Sequence, residues 1–199
     1  MTTTIDYYFT SISPFTYLGH RTFLDIAGQA QVNFKPVRLP RVFANSGAVP
    51  LAERPQCRQR YRLLEIERWA KKRGLPVNLQ PAHFPTDPSL ADRCVIALQQ
   101  AGHHPGEFLA RVLAACWAEE KDIADASVIT AILVDLKLDA DALLKAARSP
   151  ATEQQYDRNT DDALGQGILG APSWVLDNEQ FWGQDRLELL ADTLDAVEA

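Results

Sequence analysis

Cysteine is scarce in this 199-residue chain: Cys57, Cys94 and Cys116 are its three thiols, 37 and 22 residues apart. The count is odd, no C-x-x-C occurs and no paired Cys/His spacing appears, which argues against a disulfide framework and a structural zinc site. No metal site is expected. Basic charge is also short, with 20 Lys+Arg against 26 Asp+Glu for a net −6 and a pI near 5.2. Binding to a phosphate backbone asks for the opposite balance, which argues against nucleic acid as a partner. Long apolar runs are missing too. The most membrane-like stretch, 126–134, lies between Asp125 and Asp135 and falls far below a span of about 20 residues. The opening Met-Thr-Thr-Thr-Ile-Asp has neither the basic nor the apolar region of a secretory signal. The expectation is a reduced, soluble, cytoplasmic chain with no membrane partner.

What is present is ordinary globular composition, 46% hydrophobic and 23% charged. The length is about 1.3 times a typical domain of roughly 150 residues, which predicts one elaborated domain. A chain of this size hides roughly 70% of its unfolded surface and needs no disulfide or metal to fold. There is no internal repeat and no low-complexity segment.

Two β-rich ends flank a helical middle. Residues 5–10 (IDYYFT) are β-branched and aromatic and predict a buried strand. Ser13-Pro14 then reads as an N-cap and a first helical proline, opening a helix over roughly 14–29. Residues 32–39 predict a second strand, with Pro36 suggesting an edge or a bulge. Strand, helix and strand at this spacing make a βαβ unit with a parallel pair. Residues 40–56 read as a loop because Pro40, Gly47, Pro50 and Pro55 punctuate them. Helical patterns follow over 57–73, 88–101, 105–120, 125–136, 139–148 and 150–164. Strand character returns at 172–176, Asp177-Asn178 marks a turn, 179–182 pairs back as a hairpin, and 185–197 closes as a helix. The order βαβ, helices, ββα is the thioredoxin layout carrying an all-helical insertion. The expected division is a discontinuous thioredoxin-like domain, 1–40 with 165–199, and a helical domain, 41–164.

Three places could carry chemistry. At Ser13-Pro14-Phe15-Thr16, the strand–helix junction, thioredoxin-like redox proteins place C-x-x-C, because a helix N-terminus stabilises a thiolate. Hydroxyls at Ser13 and Thr16 cannot exchange disulfides, so self-contained dithiol chemistry at this junction is ruled out. Ser13 could still donate a hydrogen bond to a thiolate from elsewhere, or be an N-cap and nothing more. At Gly170-Ala171-Pro172, a proline opening a strand after a glycine turn is a candidate cis proline, the alternative being a trans proline at the start of an edge strand. At Phe181-Trp182-Gly183-Gln184-Asp185-Arg186-Leu187, Gly183 permits close approach, and Gln184 and Asp185 suit a ligand carboxylate, although Asp185 also serves as an ordinary helix cap.

These pieces fall at matching places in one fold. With Asp6–Gly19 (DYYFTSISPFTYLG), Arg58-x-x-Tyr61, Arg68-Trp69-Ala70, His83-Phe84-Pro85 and Trp117 to Ile123, the chain resembles the 2-hydroxychromene-2-carboxylate isomerases. These are relatives of kappa-class glutathione transferases in the DsbA-like thioredoxin group, and the resemblance spans essentially the whole chain. It implies a glutathione-dependent, redox-neutral isomerase of an aromatic hydroxy- or oxo-acid, cytoplasmic and homodimeric. The catalytic residue it implies is Ser13, at the glutathione sulfur. Ala171 and Pro172 would hold the cysteinyl backbone of glutathione, and Gln184 and Asp185, with Trp182 and Arg186 beside them, its γ-glutamyl end. Arg58 stands where the family usually has lysine, reaching the glycine carboxylate or the substrate. Phe15, Arg41, Tyr61 and His83 are the residues assigned to the substrate pocket. Two positions depart from the family pattern: Ala48 replaces an asparagine that touches the ligand, and Thr10 replaces a frequent aspartate.

The other conspicuous side chains read as ordinary structure. Cys94 and Cys116 lie on apolar helical faces and should be buried, whereas Cys57 sits in an arginine-rich turn and should be exposed. His103 and His104 precede a helix and should be solvated. Trp69 and Trp117 fit helical core stripes. Alternatives remain open: a kappa-like transferase conjugating electrophiles, a thiol oxidoreductase working with an outside thiol, or a non-catalytic binding module.

Overall fold

The computed structural model describes residues 3–198. Met1 and Thr2, which begin the segment read for a secretory signal, and Ala199 lie outside them. Strand β1 (Thr4–Phe9) pairs in parallel with β2 (Gln31–Pro36) after helix α1 (Pro14–Ala27). Strands β3 (Ser173–Leu176) and β4 (Glu179–Trp182) complete a mixed sheet in the order β2-β1-β3-β4. Pro36 ends β2 on the sheet edge, the placement its missing N–H allows. Asp177 and Asn178 both take positive φ in the β3–β4 hairpin, the backbone twist of a two-residue turn.

Between the halves run α2 (Leu39–Ser46), α3 (Gln56–Arg73), α4 (Ser89–Gln100), α5 (Gly106–Trp117), α6 (Ala126–Asp135), α7 (Ala140–Ala147) and α8 (Pro150–Gly165), and α9 (Leu187–Glu198) closes the chain. The predicted loop over 40–56 is therefore corrected: it contains α2 and a short 3-10 turn at Leu51–Glu53. Pro40 lies in the first turn of α2, where its missing N–H costs nothing, and Gly47 closes the helix at φ 73. Residues that punctuate a loop are here the start and stop signals of a helix.

The sheet divides the core. On one face Tyr7 stacks on its register partner Trp174 at 5.4 Å and meets Phe23 of α1 at 4.7 Å. Leu187, Leu190 and Leu194 of α9 join that core, which runs on without a break into α4 and α5. On the other face Tyr8 packs with Val42 of α2 and Ala163 of α8. Its hydroxyl donates to Asp162 at 2.7 Å, and the Lys35 ammonium bridges Asp162 and Asp6. Among the described residues no helix is long and apolar enough to cross a membrane.

Candidate functional site

The turn joining β1 to α1 is clamped from below by the helical middle. Asp92 of α4, fully buried, accepts from Thr10 Oγ1 at 3.0 Å, the Ser11 N–H at 2.9 Å and Tyr156 Oη at 2.8 Å. Burial pushes its carboxyl up to about 6, against the lowering effect of those donors. Trp117 of α5 donates its indole N–H to the Ile12 carbonyl at 3.2 Å. The clamp presents Ser13 as the N-cap of α1: its Oγ accepts from the Thr16 N–H at 3.2 Å and donates to the Ala171 carbonyl at 3.3 Å. No acidic residue stands in the first turn of α1, so the positive end of the helix dipole is uncompensated there.

Ala171-Pro172 is cis, the first of the two forms the glycine-turn pattern left open, and packs beside Ser13. The Gly183 N–H donates to the Pro172 carbonyl at 3.0 Å, tying the end of β4 to this corner. Gly183 takes φ 99, and a Cβ there would meet Asp185 Oδ1 at 2.6 Å. Gly19 fills a comparable role on α1: a Cβ would lie 2.7 Å from Cβ of Gln184, so only glycine lets the 184–186 turn sit against the helix. Gln184 is buried, and Arg73 of α3 holds both its backbone and side-chain oxygens, at 3.1 and 3.2 Å.

Above this corner lies a cavity of about 940 Å³. One face of α3 forms a wall, with Arg58, Tyr61, Arg62, Glu65 and Trp69 at helical spacing. Phe43 of α2, Phe84 and Leu169 add apolar surface. The two acids in the lining are already engaged, Glu65 with Arg68 at 2.8 Å and Asp185 with Arg186 at 2.6 Å. Arg54, Arg58 and Arg62 carry no ion pair among the described residues. A protein of net −6 thus concentrates unpaired positive charge in one apolar hollow, an arrangement suited to anionic organic ligands.

Ser13, Phe15, Arg58, Tyr61, Ala171, Trp182, Gln184, Asp185 and Arg186 all line this cavity, whereas Pro172, next in the chain after Ala171, is buried and does not itself line it. Arg41 and His83 do not line it. The Arg41 guanidinium is drawn to Asp161 at 2.7 Å on α8, and His83 is exposed. Its neighbour Phe84 takes the place on the wall. Trp117 is fully buried as expected, whereas Trp69 is only half-buried and faces the cavity. Cys94 and Cys116 are buried, their thiols pushed up to about 12 by desolvation, and Cys57 is exposed. His103 and His104 are both exposed, with His104 edge-on to Phe34. Arg54, Arg62 and Phe84 also line the cavity although no site role is expected of them from the sequence, Phe84 standing there only as the middle of His83-Phe84-Pro85. The signal available was the spacing 58, 62, 65, 69, which repeats one face of α3. No group of three or more side chains able to hold a metal ion occurs among the described residues.

Residues 4–195 match the family model described as a DsbA-like thioredoxin domain. The chain is 31% identical over 198 residues to a 2-hydroxychromene-2-carboxylate isomerase of Sphingobium xenophagum, covering 98% of this chain and 99% of the relative. It is 27% identical over 209 residues to glutathione S-transferase kappa 2 of Caenorhabditis elegans, covering 96% and 91%. A solved structure of a 2-hydroxychromene-2-carboxylate isomerase superposes with a TM-score of 0.80 at 26% identity, covering 98% of this chain and 95% of that one. The resemblance carried by the S-P-F junction, the Gly170-Ala171-Pro172 turn and the W-G-x-D-R stretch is borne out along the full length. The chain belongs to the 2-hydroxychromene-2-carboxylate isomerase family, within the DsbA-like thioredoxin-domain proteins.

Proposed function

We propose that the chain is a glutathione-dependent isomerase interconverting 2-hydroxychromene-2-carboxylate and trans-o-hydroxybenzylidenepyruvate, or a related aromatic-degradation intermediate. One observation carries the reading. A hydroxyl, Ser13, caps α1 beside a cis proline on the floor of an arginine-rich cavity, where a redox relative would hold a thiol.

The residues fit glutathione, a tripeptide with two carboxylates, an amino group and a thiol. Ala171 is half-exposed beside Pro172 and lines the cavity, so its N–H, and its carbonyl once Ser13 turns away, would pair with an extended peptide. Arg58 at the mouth suits the glycine carboxylate. Gln184 Oε1 is committed to Arg73 and Asp185 Oδ2 to Arg186, which leaves the Gln184 amide N–H and Asp185 Oδ1 for the γ-glutamyl end, with Trp182 and Arg186 beside them. When bound, glutathione would supply a thiolate nucleophile able to add reversibly to a conjugated carbon. Ser13 favours the charged form of that sulfur. Its donated bond to Ala171 is long for O–H···O, so turning the proton to a better acceptor costs little. The α1 N-terminus adds fixed positive charge at the same point. Phe15, Tyr61, Trp69 and Phe84 offer flat walls for an aromatic ring and keep water from it. With hydroxyls at Ser13 and Thr16 no mixed disulfide forms at the junction, and elimination that breaks the new carbon–sulfur bond after rotation about the saturated carbon would return the thiolate unchanged, leaving the reaction redox-neutral.

The same reading carries a cytoplasmic location, a homodimer in solution, and the division into 1–40 with 165–199 and 41–164. A kappa-like transferase is the second reading, favoured by the kappa relative. Glutathione titrated calorimetrically should bind the wild-type protein, and Ser13→Ala should lower turnover by roughly 10²-fold, the usual loss for a donor aimed at developing charge. Absent binding together with unchanged Ser13→Ala turnover would refute the reading.

A further inference from the structure

Three arginines face the cavity without an ion pair, and the reading above, on which this inference rests, assigns only Arg58 to glutathione. Arg62 differs from Arg58 in its surroundings. It lies one helical turn further along α3 and is half-buried, whereas Arg58 is exposed. Its guanidinium carbon is 5.5 Å from the Phe84 ring and 5.8 Å from the Trp117 ring, whose centroids are themselves 4.9 Å apart. These rings hold the guanidinium in place but satisfy none of its N–H donors. No protein acceptor reaches it among the described residues. Burial and the neighbouring charge of Arg54 lower its proton affinity to about 10, so it remains a cation at neutral pH.

Arg54 is held in a similar way. Its Nε donates to the Val49 carbonyl at 2.7 Å and its guanidinium lies over the Phe43 ring at 5.7 Å, and its terminal nitrogens have no partner among the described residues. Two like charges brought together in an apolar hollow repel each other and lose hydration, which an anion between them would reverse. Glu65, the acid nearest in sequence on this wall, is turned to Arg68 instead.

We propose that Arg62, with Arg54 beside it, forms the subsite for the carboxylate of an aromatic acid substrate whose ring lies against Phe84 and Trp69. The subsite makes Arg62 a specificity-determining residue, favouring acids over their neutral analogues. Trp117 connects it to the chemistry. The indole that stacks on Arg62 also holds the Ile12 carbonyl one residue before Ser13, so the two ends of the site share a rigid support.

The test is calorimetric titration of trans-cinnamate and its methyl ester, without glutathione, into the wild type, Arg62→Met and Arg62→Lys. The wild type should bind the acid ~10-fold more tightly than the ester, as expected for one charge-assisted fork. Arg62→Met should lose that preference, and Arg62→Lys, which keeps charge without the planar fork, should fall between them. Equal binding of acid and ester by the wild type, or a preference retained in Arg62→Met, would overturn the proposal. Should the methionine variant not fold, Arg62→Gln repeats the measurement with an uncharged donor. Glutathione titrated separately keeps the two readings apart. A missing glutathione site sinks the isomerase and leaves the anion subsite standing, while a missing acid preference does the reverse.

Discussion

Gly19 shows how much of this site is decided by single atoms. It belongs to the S-P-F-T-Y-L-G stretch, yet it touches no ligand position and serves as the gap into which the Gln184 turn fits. Gly19→Ala places a methyl against a side-chain carbon that Arg73 already fixes through Gln184. Overpacking of this kind costs about 1–3 kcal/mol, so thermal melting should show a clear fall in Tm, with glutathione affinity falling alongside because the 184–186 turn moves. An unchanged Tm would mean that the turn is freer than the geometry indicates. At this scale the sequence was legible where a residue has few roles to choose from. Ser13-Pro14 could hardly be other than a helix start, and Gly170-Ala171-Pro172 announced a special turn. Arg62 was legible only in part: the spacing 58, 62, 65, 69 groups it with Arg58 on one face of α3, but only the rotation of the helix, set by which face the core takes, decides that this face meets the cavity while Arg60 does not.

Among the elements, the helical middle acts as the brace of the β1–α1 turn. Asp92 from α4 and Tyr156 from α8 meet Thr10 and Ser11, and Trp117 from α5 meets Ile12. Replacing Asp92 with alanine leaves three donors facing an apolar cavity. A loss of about 3 kcal/mol is expected for breaking such a buried network, readable as a shifted urea midpoint, with turnover falling because Ser13 is released. A midpoint within the error of the wild type would show the turn to be held by other contacts. No pattern in the sequence paired Thr10 with Asp92, since they are 82 residues apart and belong to different elements. The α2 helix reads as a loop in the sequence for a different reason. Its proline and glycine are ambiguous between loop and cap until the intervening residues are known to pack, and here only Val42 is buried. The two β-rich ends, by contrast, were readable because strand alternation and a two-residue turn are local signals.

For the whole molecule, two buried titrating groups act in opposition. Asp92, raised to about 6 from 3.8, contributes stability that is full below pH 3.8 and is lost as pH rises through about 6. His20 is driven down to about 4 from 6.5, chiefly by burial. Its ring lies between Tyr7 Oη and the Gly106 carbonyl and contributes stability that is full above pH 6.5 and is lost as pH falls through about 4. In the wild type these slopes nearly cancel between pH 4.5 and 6. Surface carboxyls held down by arginine or lysine, such as Glu107 and Asp162, act below that window. Asp92→Asn removes one slope and should expose the other, so that its stability rises with pH by up to about 1.4 kcal/mol per unit across this window. Parallel Tm–pH curves for variant and wild type would contradict the assignment. The same scale holds the proposed function, in which a net-acidic protein that gathers unpaired arginines over a hydroxyl-capped helix uses a sulfur that it does not own. The most direct test follows trans-o-hydroxybenzylidenepyruvate by absorbance with the purified protein while free thiol is assayed in the same samples. Conversion that requires glutathione and leaves its concentration unchanged is the predicted result. Conversion without glutathione, or stoichiometric loss of thiol, would contradict it.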